Sequence, residues 1–136
     1  MAIFLHGVWA LTSLANAFSV LTSYVPGFPD SFLLWRHVLQ SSELLRNYTL
    51  IAVDLPGYGG SDSLPTYGPY DMLEALTEFF IGMRKLYLHQ DKQLVAVTHD
   101  WGAVIGARLA SEAKEVADHW IITSGLIVWF MWIYNC

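Results

Sequence analysis

One short segment of the 136-residue chain brings reactive residue types to a place where a fold can use them: Val97-Thr98-His99-Asp100-Trp101-Gly102. The apolar run Leu94-Val95-Ala96-Val97 before it reads as a buried strand. Residues 103–113 after it repeat Val104, Ile105, Ala107, Leu109 and Ala110 at helical steps. A carboxylate therefore stands at a strand-to-helix corner, with a glycine two places on. Such a corner pushes its side chain out above the sheet and sets the next N–H beside it, at the positive end of a helix. A carboxylate suits attack on a tetrahedral carbon, which leaves an alkyl ester on the protein. Water then attacks the ester carbonyl, and backbone N–H groups stabilise the oxyanion formed there. The same Asp100 also reads as a plain helix cap, with His99 a loop histidine. His99-Asp100 as a metal pair lacks a helical His pair or a carboxylate cluster to complete it, so no metal site is expected. Gly57-Tyr58-Gly59-Gly60 has neither the Lys nor the spacing of a phosphate loop. No cofactor is expected.

Several elements must position that corner. Asp30 or Ser31 starts a helix whose apolar face is Phe32, Leu33, Trp35, Val38, Leu39 and Leu44. A strand follows at 49–53, and then a loop at 54–62, rich in glycine with one proline. Residues 71–88 form the clearest amphipathic helix, with Met72, Leu73, Leu76, Phe79, Phe80, Met83 and Leu86 inward. Further strands are expected at 2–5 and 120–123. Strands alternating with helices imply a parallel sheet covered on both faces.

Length allows one domain at most. Lys plus Arg is 7 and Asp plus Glu is 12, a net charge of −5, which argues against nucleic acid as a partner. Hydrophobic residues make up 54% and charged residues 14%, against about 25% charged in an ordinary domain. The deficit is local: neither 8–27 nor 126–136 holds an Asp, Glu, Lys or Arg. Cys136 is the single cysteine, so no internal disulfide or Cys-based zinc site exists. The first apolar piece has the Ala15-Asn16-Ala17 pattern of a signal cleavage site but no basic residue before it. The sequon Asn47-Tyr48-Thr49 matters only in a secreted chain. The expected location is cytoplasmic.

Phe28-Pro29-Asp30-Ser31 with Trp35-Arg36, then Asp54-Leu55-Pro56-Gly57-Tyr58-Gly59-Gly60-Ser61-Asp62, then His99-Asp100-Trp101-Gly102 occur in the order seen in α/β-hydrolases. The set most resembles the epoxide hydrolase branch and covers most of residues 28–125. The resemblance implies a partial α/β-hydrolase fold, a mostly parallel sheet flanked by helices with the cap domain absent. It implies Asp100 as nucleophile and the N–H groups of Trp101 and Phe28 as the oxyanion hole. His6, Gly7, Pro29, His99 and Gly102 would shape the site. The implied partner of the full-length relative is a small epoxide or related apolar compound. Haloalkane dehalogenases are similar: they share Asp-Trp-Gly and use the Trp to hold halide. Asn usually follows their His-Gly, whereas Phe28-Pro29 looks like an epoxide hydrolase. Thr98 stands where the family often has Gly.

Two departures shape the expectation for this chain. Residues 8–27 separate His6-Gly7 from Phe28, and removing them restores the family motif. The segment reads as an insert, a retained intron whose donor GT fits a Gly7 codon and whose acceptor AG fits Pro26-Gly27. Lacking alternation, it is expected to stand outside the sheet. The tail 126–136 reads as a second, atypical apolar read-through. The resemblance also calls for a histidine, a supporting acid and cap tyrosines after the region matching Gly125. His6, His37, His89 and His119 do not substitute, so this incomplete hydrolase, 1–136, is expected not to turn over. Other readings are a small membrane-associated protein using its two apolar ends and a non-catalytic binding module on the hydrolase scaffold.

Overall fold

The computed structural model describes residues 8–11, 20–68, 70–87 and 92–125. Its five strands are β1 (Val8–Leu11), β2 (Val20–Val25), β3 (Thr49–Val53), β4 (Gln93–His99) and β5 (His119–Thr123). They form one sheet in the order β1-β3-β2-β4-β5. β2 to β5 run parallel, and β1 lies antiparallel on the outer edge of β3. The crossovers between the parallel strands are helical, as parallel pairing requires. α1 (Arg36–Leu39) and α2 (Ser42–Asn47) lead to β3, α3 (Asp71–Tyr87) leads to β4, and α4 (Trp101–Glu112) leads to β5.

Both faces of the sheet are covered. Val25, Ile51, Val53, Leu94 and Ala96 pack against Leu76, Phe80 and Met83 of α3 and Leu109 of α4. On the other face Tyr24, Leu50, Ala52 and Val97 meet Leu39, with Trp35 and Leu44 packed alongside. Burial under Trp35 pushes the Tyr24 hydroxyl above its ordinary pKa, so it stays neutral.

α3 follows the expected helix closely, but Leu86 is 70% exposed and Ala75 takes an inward place instead. The expected strand at 2–5 lies outside the described residues. One expectation is corrected. The segment 8–27 does not stand outside the sheet: it contributes β1, and β2 lies between β3 and β4. Alternation is the mark of a strand with one wet face. β2 has none, because Ser23 and Val25 are buried on one side and Thr22 and Tyr24 on the other.

Phe80 has no exposed surface at the centre of the larger cluster and touches Phe79 and Trp120 edge-on. Phe80→Ala is expected to lower the unfolding free energy by about 3–5 kcal/mol in urea titration. Leu86→Ala is expected to change it by less than about 0.5 kcal/mol.

Candidate active site

In a parallel sheet, ligands bind beyond the carboxyl ends of the strands. Three neighbouring strands here deliver three segments to that edge: Pro26 to Pro29 after β2, Asp54 after β3, and Asp100 after β4. Asp100 has φ 54° and ψ −119°, outside the region that a side chain adopts without strain. An ordinary N-cap has extended dihedrals and accepts a hydrogen bond from its own helix. Asp100 has neither: its side chain makes no capping bond to α4. Its Oδ1 accepts instead from the Phe28 N–H at 3.2 Å, 72 residues earlier in the chain. The backbone of the corner is held from both sides. Asp100 N–H donates to the Thr123 carbonyl at 3.2 Å, and the Asp100 carbonyl accepts from Ala103 and Val104.

The segment carrying Phe28 can approach because two residues lack a side chain. A Cβ on Gly27 would overlap Cβ, Cγ and Oδ1 of Asp100. A Cβ on Gly102 would lie 2.5 Å from the Pro26 carbonyl oxygen. Asp30 N–H donates to the Gly27 carbonyl at 2.9 Å, closing a turn around a cis Phe28–Pro29 peptide. That turn presents the Phe28 N–H to the carboxylate. Trp101 opens α4, so its N–H belongs to the helix's positive end. Phe28 is 57% and Trp101 49% exposed, which gives the carboxylate an apolar rim.

The structure thus brings Phe28, Pro29, Asp100, Trp101 and Gly102 together. His6 and Gly7 lie outside the described residues. The His99 ring does not join the cluster in the way the linear motif suggests. It meets the edge of Trp35 at a centroid distance of 6.2 Å, on the α1 side of the sheet, and its Nδ1 is buried. Adjacent residues of a strand face opposite ways, and His99 ends β4 just before the corner. Gly27 was missed by reading the sequence. Its signal was its place directly before Phe28, hidden by assigning the glycine of the turn to Gly7. No group of three or more His, Cys, Asp or Glu able to hold a metal occurs among the described residues. Among them, no helix is long and apolar enough to cross a membrane.

Residues 24–134 match the family model of the alpha/beta hydrolase fold. The chain belongs to that family. It is 30% identical over 99 residues to "Epoxide hydrolase 3" of Xenopus tropicalis, covering 71% of this chain and 25% of that protein. It is 35% identical over 89 residues to a haloalkane dehalogenase of Sphingobium indicum, covering 65% of this chain and 29% of that one. Among solved structures, an epoxide hydrolase of Bacillus megaterium in complex with an inhibitor superposes with a TM-score of 0.64 at 26% identity. That match covers 92% of this chain and 42% of the other. This α/β-hydrolase chain thus spans about a quarter of the length of the two curated relatives.

The strained corner generates a stability test. A non-glycine residue in such a conformation costs about 1–3 kcal/mol, more than one exposed hydrogen bond returns. Asp100→Gly is therefore expected to raise the unfolding free energy by about 1 kcal/mol in urea titration. A capping role predicts a loss instead. Gly27→Ala should destabilise, since its methyl group and the Asp100 carboxylate need the same space.

Proposed function

We propose that Asp100 is the nucleophile of an epoxide-hydrolase-like site, with the Phe28 and Trp101 N–H groups as its oxyanion hole. The observation that carries the reading is the Phe28 N–H donating to Asp100 Oδ1 while the residue sits in a strained corner without a capping bond. With Oδ1 held there, Oδ2 attacks a ring carbon of the epoxide. The C–O bond of the ring breaks, its oxygen takes a proton from solvent, and an alkyl ester of Asp100 remains. Water adding to the ester carbonyl would place the negative charge on Oδ1, beside the same donors. The exposed Phe28 and Trp101 rings suit an apolar substrate.

The second half of the cycle needs a base to activate water. The described histidines do not supply it. His37 is exposed on α1, and His99 is turned to Trp35. His119 opens β5 opposite Val95, five residues or ~17 Å along the sheet from Asp100. We infer that the described residues support ester formation and that none of the histidines among them is placed to activate water for turnover. The haloalkane dehalogenase of Sphingobium indicum supports a second reading, in which the same carboxylate displaces halide.

Mass spectrometry after incubation with a small aryl epoxide tests this. One equivalent of the whole epoxide mass is expected on the peptide containing Asp100, without sustained diol release. Asp100→Asn should carry no adduct, because a neutral amide oxygen is a far poorer nucleophile. An adduct formed only from a haloalkane, lighter by the elements of the hydrogen halide, would move the assignment to dehalogenase. Absence of any adduct would remove Asp100 from catalysis.

A further inference from the structure

We infer that Asp54 is a positioning residue, whose buried carboxylate fixes the Phe28 N–H against Asp100 by tying two loops together. The inference rests on the nucleophile reading of Asp100. Asp54 is 1% exposed at the end of β3. A carboxylate so buried must have partners, and both oxygens have them. Oδ1 accepts from the Phe32 N–H at 2.6 Å, and Oδ2 accepts from the Gly60 N–H at 2.9 Å. These two bonds tie the carboxylate to the backbone of both loops. The first bond anchors the far end of the turn that carries Phe28. The second anchors the glycine loop, where Gly59 has φ 53° and a Cβ would overlap the Asp54 carboxylate. That loop carries Tyr58, held by Tyr58 N–H to the Leu55 carbonyl and Ser61 N–H to the Tyr58 carbonyl, both at 2.9 Å. The Tyr58 ring meets the Phe28 ring edge-on at 5.9 Å. Phe28 is thereby gripped through its chain at Phe32 and through its ring at Tyr58, and one carboxylate sets both.

The two chemical steps read this arrangement differently. Ester formation uses Oδ2 of Asp100, and the Phe28 N–H on Oδ1 contributes little to it. Ester cleavage builds negative charge on Oδ1, so a displaced donor is felt in that transition state. A merely structural carboxylate would affect both steps alike.

The test uses the full 136-residue chain loaded with a small aryl epoxide, freed of excess, and treated with hydroxylamine. The amine nitrogen attacks the ester carbonyl through the same oxyanion. The bond between the carbonyl carbon and Oδ2 breaks, the diol leaves carrying Oδ2 and a proton from the amine nitrogen, and Asp100 becomes a hydroxamate. Asp54→Asn is expected to form the adduct within about twofold of the unsubstituted rate and to release it about tenfold more slowly. Amide hydrogen exchange at Phe28 should speed up about tenfold. Tyr58→Ala should show the same split if Asp54→Asn fails to fold, and Tyr58→Phe should show none. Equal losses in both steps, or unchanged cleavage and unchanged Phe28 exchange, would overturn the inference. No adduct on the unsubstituted chain would instead overturn the nucleophile reading. Phe28 exchange in Asp54→Asn would then decide the Asp54 link alone, rapid exchange supporting it and unchanged exchange ending it.

Discussion

The backbone at Asp100 cannot relax. Its φ of 54° is held because β4 ends in a wall of backbone contacts: Asp100 N–H on Thr123, the first turn of α4 on the Asp100 carbonyl, and Val25 and Pro26 pressed against Gly102. The rest of the site follows from that corner. A relaxed cap would turn the carboxylate along its own helix. The strained one turns it out to a donor on a different strand, and strain of this kind persists only where surrounding structure over-determines it.

The sheet supplies that over-determination. β2, β3 and β4 are adjacent and parallel, so their carboxyl ends emerge side by side and deliver Phe28, Asp54 and Asp100 to one edge. The apolar clusters on both faces hold the strands in register, and a shift of one residue would reverse every side chain between them. Close packing carries the constraint outward. Gly106 leaves room for Thr98 beneath the corner, and Trp35 fills the space between Tyr24 and His99 on the opposite face. Two carboxylates stand at this edge with opposite uses, Asp54 buried and Asp100 half-buried. Asp54 accepts a backbone N–H on each oxygen, whereas Asp100 accepts the Phe28 N–H on Oδ1.

Much was legible in the sequence, and for physical reasons. The periodicity of α3, the apolar runs of β3, β4 and β5, and the corner at Asp100 are local patterns, set by what each stretch must bury. The pairing of Asp100 with Trp101 and Gly102 is local too, since three consecutive residues at a strand-to-helix turn have little freedom in their placement. The motif order pointed to the α/β-hydrolase family without any contact being known.

What the tertiary structure alone decided is which strand lies beside β4. Residues 8–27 carry no charge and no alternation, so they resemble an insert. A central parallel strand is buried on both faces and has no alternation to display. Only pairing with β3 and β4 distinguishes the two, and pairing is not local. The same holds for Gly27 and for Asp54. A glycine in the sequence does not say what would strike its missing side chain. An aspartate in a loop does not say whether it faces water or two backbone N–H groups from segments 22 and 6 residues away.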